Sequence, residues 1–192
     1  MGRRILFLGP PGAGKGTQAT MLARALGVPH VSTGEMLRAA VAAGTGLGKQ
    51  AEAIMAAGDL VPDDLVVAMV AERLNADDAR CGYLLDGFPR NVEQADALDN
   101  RMGEGALEVA MLLDVEEEEL VARLLNRARE LGRTDDNEAT VRRRLQVYRS
   151  ETEPLVDFYP SRGVPVLAID GIGGIEEVFS RLVSALARED AQ

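Results

Sequence analysis

The apolar positions of this chain fall into five short runs: Arg4 to Leu8, Val28 to Val31, Tyr83 to Leu85, Val109 to Leu113 and Val166 to Ile169. Three of them end at a carboxylate, at Asp86, Asp114 and Asp170. Near-continuous apolar runs of this length suit strands covered on both faces. Between them the spacing changes to three and four. Ala19, Leu22, Ala23 and Leu26 follow Lys15, and Leu65, Val66, Met69 and Val70 follow Val61-Pro62-Asp63-Asp64. Leu120, Val121, Leu124 and Leu125 make a third stripe, and Val141, Leu145 and Tyr148 a fourth. Ile175, Val178, Phe179, Leu182, Val183 and Leu186 predict a last helix docked on the sheet along all six. Strands alternating with helical patterns predict an α/β domain.

The stretch from Ser32 to Pro62 has another texture. Ser32-Thr33-Gly34-Glu35 reads as a capping and turn signal, and Gly44, Gly46, Gly48 and Gly58 cut two short helices, so an inserted helical lobe is expected. Gly132 to Asn137 is a polar break, and Pro160, Gly163 and Pro165 punctuate the approach to the fifth strand. A chain of 192 residues can bury a core without cross-links. The single cysteine, Cys81, and the lack of a Cys/His cluster predict no internal disulfide and no structural zinc, as in a reducing compartment. The first residues lack an export pattern, and no run is apolar enough to span a membrane. A formal charge of -10 disfavours broad attraction to nucleic acid or anionic lipid while leaving local basic clusters free to act.

Such clusters exist. Acidic residues crowd Glu116 to Glu119, and then Arg123, Arg127, Arg129, Arg133, Arg142, Arg143 and Arg144 follow. Surface ion pairing is one reading of these arginines, and it suits Arg142 and Arg143 best. The other comes from Gly9-Pro10-Pro11-Gly12-Ala13-Gly14-Lys15-Gly16-Thr17, which matches the P-loop pattern between a strand and a helix. Its small residues let backbone N–H groups curl around a phosphate. Lys15 then sets an ammonium beside the β- and γ-phosphates, with Thr17 as the hydroxyl on the magnesium side. Asp86, at a strand end, can reach the same magnesium directly or through water. Phosphoryl transfer between two anions needs positive charge around donor, moving group and acceptor, and separated arginines supply it. The sole histidine, His30, reads as structural, since an ionised phosphate acceptor needs no histidine base.

With Ser32 to Arg38, Leu60-Val61-Pro62, Asp86-Gly87-Phe88-Pro89-Arg90 with Gln94, Gly132 to Asn137 and Arg144, the chain resembles the adenylate kinases along essentially its whole length. It is most similar to their short-lid branch. The resemblance implies the P-loop nucleoside monophosphate kinase fold, an α/β architecture with a five-stranded parallel sheet flanked by helices. It implies a core over residues 1–31, 62–122 and 137–192, a monophosphate-binding lobe over 32–61 and a short lid over 123–136. The implied activity is reversible, magnesium-dependent phosphoryl transfer from ATP to AMP, giving ADP, by a cytoplasmic monomer.

On the donor side the resemblance implies Gly12, Ala13, Gly14, Lys15, Gly16 and Thr17, with Arg123, Arg127 and Gly171. On the AMP side it implies Thr33, Gly34 and Val61 at the base, Arg38 and Arg90 at the phosphate, Gln94 at adenine, and Gly87, Arg133 and Arg144. Lys15, Arg90, Arg127, Arg133 and Arg144 would stabilise the transfer, and Asp135 and Asp136 would orient arginines. The long-lid branch's extra domain with its cysteines is absent from the sequence, so no zinc is expected. A uridylate or cytidylate kinase is the nearest rival, and Gln94 argues against it. A regulatory or RNA-interacting module that has lost catalysis is the second.

Overall fold

Each apolar run becomes a strand: β1 (Arg4–Leu8), β2 (His30–Ser32), β3 (Tyr83–Asp86), β4 (Val109–Asp114) and β5 (Val166–Asp170). The computed structural model describes residues 3–103, 106–131, 137–189 and 191. The strands pair in parallel in the order β2-β3-β1-β4-β5. Successive side chains leave a strand on opposite faces. Leu6, Leu8, Leu85 and Ala110 therefore join the core on one side, and Ile5, Phe7, Leu84, Val109 and Met111 the core on the other. Helices cover both cores, which is why the strands read as unbroken apolar runs.

The helices are α1 (Lys15–Leu26), α2 (Thr33–Ala42), α3 (Gly46–Ala57), α4 (Asp63–Leu74), α5 (Val92–Met102), α6 (Glu117–Leu131), α7 (Glu138–Val147), α8 (Leu155–Ser161) and α9 (Ile175–Glu189). Helices α2 and α3 make the glycine-cut segment expected from the sequence. Asn137 caps α7, its side-chain oxygen accepting from Thr140 N at 3.0 Å. Arg133, Asp135 and Asp136 lie outside the described residues.

Three local expectations are corrected. Strand β2 starts at His30, not Val28, because Val28 N donates to Ala23 O at the end of α1 and Pro29 has no N–H to give. Ser32 makes no side-chain cap on α2; its Oγ donates to Asp86 Oδ2 at 3.4 Å. Pro160 does punctuate the approach to β5: it is the last residue but one of α8, where a missing N–H costs one bond and the chain leaves the helix at once. Helix α9 buries a narrower stripe, Val178, Leu182 and Leu186, while Ile175 is 56% and Val183 42% exposed. That helix rests on α1 and β5, so its flanks face water. The stripe of α7 also runs on through Tyr148 into a widened turn, Tyr148–Thr152, in which Glu153 N reaches back to Tyr148 O.

Candidate functional site

The glycine-rich loop runs from the end of β1 to the start of α1. Gly12 (φ +90) and Gly14 (φ +93) hold backbone conformations that L side chains rarely adopt, and a Cβ on Gly12 would stand 2.9 Å from Leu120 O. Gly14 thereby ends the loop and begins the helix with its N–H groups facing a cleft of about 480 Å³. Lys15 projects into this cleft and donates to two loop carbonyls, Gly9 O at 2.6 Å and Pro10 O at 2.9 Å. Thr17 is exposed on the first turn of α1 and lines the same cleft. Ala13 is buried among core side chains and its N–H donates to Pro10 O at 3.2 Å.

The charges around Lys15 are unusual for a chain that is acidic overall. Burial pushes the Lys15 ammonium down to about 8; Asp86 opposes that drop, and Arg90, Arg144 and Arg127 add to it. Burial likewise lowers Arg90 to about 10, with Arg144 and Arg38 adding like-charge repulsion. Asp86 is 8% exposed and sits at the end of β3, in register with Phe7 and Ser32 of the neighbouring strands. Burial alone would raise its carboxyl, but His30 beside it and the charge of Lys15 outweigh that and hold it below its ordinary value. His30 Nε2 lies 3.4 Å from Asp86 Oδ2, so the isolated histidine buttresses a cleft carboxylate.

A second depression opens from the cleft beside α2 and α3. Thr33 and Gly34 start α2, Val61 precedes α4, and all three line the depression together with Gln94. Thr33 Oγ1 donates to Gly87 O at 2.7 Å. Arg90 Nε donates to the same carbonyl at 2.7 Å, which ties the Asp86-Gly87-Phe88-Pro89-Arg90 turn to the start of α2. Arg38, Arg90, Arg144, Gly34 and Gly87 line both cavities. They form the shared wall between the P-loop side and the α2 side.

Of the arginines read from sequence, Arg123 and Arg127 face the larger cleft from α6. Arg123 pairs with Glu119 at 2.7 Å and donates to Gly171 O at 3.2 Å, which gives Gly171 a supporting position behind the cleft wall. Arg142 pairs with Glu138 and Arg143 with Asp59, the surface role expected of them. Thr17 and Asp86 are hard oxygen donors facing one cleft, a donor set that fits magnesium with retained waters. Among the described residues no trio of His, Cys, Asp or Glu is grouped to hold a metal ion. No described helix is long and apolar enough to cross a membrane.

Sequence reasoning missed the groups that hold these side chains in place. Asp63 and Asn91 grip Gln94, Ser32 and His30 flank Asp86, and Thr152 Oγ1 donates to Arg90 O at 2.7 Å. Asn91 had a readable signal: as an Asn three residues before a glutamine, it caps α5 by accepting from Gln94 N at 2.8 Å. The other partners are far apart in sequence and carry no pattern.

A family model described as "Adenylate kinase" matches residues 7–164. Among curated proteins, the chain is similar to the adenylate kinase of Thermobifida fusca (strain YX), 55% identical over 185 residues, covering 95% of this chain and 97% of that one. It is 50% identical over 185 residues to that of Stenotrophomonas maltophilia (strain R551-3), covering 95% and 98%. The adenylate kinase of Thermus thermophilus is 50% identical over 188 residues, covering 97% and 98%.

Proposed function

Because this chain belongs to the adenylate kinase family, we propose that it transfers the terminal phosphoryl group of magnesium-bound ATP to AMP, reversibly, giving two ADP. The observation that carries the reading is the shared wall: Arg90 and Arg144 border both cavities, so a group passing between them never leaves positive charge. An oxygen of the AMP phosphate attacks the γ-phosphorus, the bond to the β,γ-bridging oxygen breaks, and ADP leaves with that electron pair. The attacking oxygen is already ionised, so no general base is required.

In this proposal the loop from Gly12 to Thr17 cradles the donor phosphates, and Lys15 gives up its loop carbonyls to follow the moving group. Arg123 and Arg127 hold the donor, with Gly171 supporting Arg123. Arg38 and Arg90 hold the acceptor phosphate, Thr33, Gly34 and Val61 line its base pocket, and Gln94 reads adenine. Arg133, Asp135 and Asp136 take the lid roles that the resemblance implies. Thr17 and Asp86 would hold magnesium, directly or through water, and the ion would supply charge neutralisation at the transferring phosphates.

We take residues 32–61 as the monophosphate lobe, 123–136 as the lid, and 1–31, 62–122 and 137–192 as the core, with closure expelling water around both nucleotides. A cytoplasmic monomer completes the proposal. The test is an acceptor panel with ATP and magnesium: AMP is preferred over UMP, CMP and GMP by roughly tenfold or more in kcat/KM, as an amide matched to one base edge implies. A preference for UMP or CMP overturns the acceptor assignment, and no turnover with any acceptor overturns the catalytic one.

A further inference from the structure

Gln94 is only 1% exposed, and both ends of its side-chain amide are held. Its Oε1 accepts from Arg90 N at 2.8 Å, and its Nε2 donates to Asp63 Oδ1 at 2.6 Å. Asn91 secures the carboxylate: its Nδ2 lies 3.2 Å from Oδ1 and 3.1 Å from Oδ2 of Asp63, while its own Oδ1 caps Gln94 N. An amide seated between an N–H and a carboxylate has one stable orientation. Turned over, it would set NH₂ against N–H at one end and a carbonyl against a carboxylate at the other.

Each end of the amide keeps one further capacity, a lone pair on Oε1 and a proton on Nε2, and the side chain lines the depression beside α2. A 6-amino purine presents an N–H donor next to the N1 acceptor, which matches an acceptor and a donor in that order. A 6-oxo purine presents the reverse, an acceptor next to an N1–H donor, and would match only the inverted amide. We propose that Asp63 is a specificity-determining positioning residue: its carboxylate, steadied by Asn91, locks the Gln94 amide in the orientation that accepts a 6-amino purine monophosphate and rejects a 6-oxo one. The proposal rests on the reading of Gln94 as the residue that meets the acceptor base.

Asp63 is also the first residue of α4, where a carboxylate favours the helix start. A role limited to the helix would change stability and leave base selectivity alone, so selectivity is the deciding readout. The experiment measures kcat and KM for AMP and for IMP at saturating magnesium-ATP, on the full chain and on Asp63→Ala, Asp63→Asn, Gln94→Leu and the Asp63→Ala/Gln94→Leu double variant. In Asp63→Ala the AMP-over-IMP ratio of kcat/KM falls about tenfold, chiefly through KM for AMP, while KM for ATP moves by less than about twofold. Asp63→Asn keeps the shape and one acceptor, so its ratio falls about threefold, and it decides the matter if the alanine variant fails to fold. The double variant shows no loss of selectivity beyond Gln94→Leu. An unchanged ratio in both Asp63 variants, with Gln94→Leu collapsing it, overturns the role of Asp63 and leaves the reading of Gln94 intact. An unchanged ratio in Gln94→Leu overturns that reading and the proposal with it.

Discussion

Lys15→Met isolates the charge held at the P-loop, because methionine copies much of the lysine stem and carries no proton. In the folded chain, burial takes Lys15 from 10.5 to about 8, against the pull of Asp86. That drop disfavours the charged form by about 3 kcal/mol, at about 1.4 kcal/mol per tenfold. Between pH 8 and 10.5 the unfolded chain keeps a proton that the folded chain has lost, so stability rises across that window. The cost of the charge is fully present below pH 8 and gone above 10.5. Urea unfolding across the window therefore shows the wild type gaining about 3 kcal/mol relative to Lys15→Met. Nucleotide phosphates act in the opposite direction, since negative charge beside the ammonium raises its pKa again. Binding of ADP at about pH 9 consequently draws most of one proton from the buffer into the wild type and far less into Lys15→Met. Calorimetric titration in buffers of different protonation enthalpy reads that number directly. No proton uptake, together with a stability difference that stays flat across the window, would refute the reasoning.

Arg90→Lys keeps the charge but loses the planar fork that faces both cavities, and kcat falls about a hundredfold in a coupled assay; a loss under about threefold removes Arg90 from the transfer step. Gly58→Ala places a Cβ at φ +83, 3.1 Å from Arg144 Cγ, Thr140 Cγ2 and Thr140 O. It costs about 2 kcal/mol in urea unfolding and raises KM for AMP by displacing Arg144, and unchanged stability would contradict the geometry. Asp86 titrates below 3.8 in the folded chain, so its stabilisation is present above pH 3.8 and is lost as pH falls through the lower folded value. Asp86→Asn flattens that acid limb of the stability curve and raises the magnesium concentration needed for half-maximal turnover; an unchanged magnesium requirement argues against Asp86 at the ion.

The strands were legible because a parallel sheet covered on both faces writes itself as apolar runs, and Ile5 to Leu8 or Val109 to Leu113 need no partner to be read. The P-loop was legible because its parts are contiguous, so pattern and geometry coincide. Ser32 was misread for the opposite reason. Locally it is a helix cap, and only the register of β2 beside β3 sets it against Asp86 instead. Pro160 was legible for a local reason, since its missing N–H ends α8 one residue later and the chain turns toward β5. His30 meets Asp86 and Asp63 meets Gln94 across 56 and 31 positions of sequence. No spacing rule spans those distances, because each depends on how two elements are aimed after the sheet has formed.

The same cations that suit the transfer also burden the fold without nucleotide. Lys15 and Arg90 are both pushed down by burial, and each is further destabilised by arginine neighbours rather than relieved by them. Asp86 is the carboxylate that counters both, and it is itself buried and steadied by His30. Lys15 and Arg90 stay lowered even with Asp86 beside them, in a chain that has acidic residues in excess. Among the described residues, Glu138 pairs with Arg142 and Asp59 with Arg143 at the surface. A carboxylate held by the fold stays beside them throughout, whereas phosphates arrive and depart with each turnover. Lys15 and Arg90 are therefore preorganised for an anion that comes from outside, and phosphate charge beside them stabilises both cations.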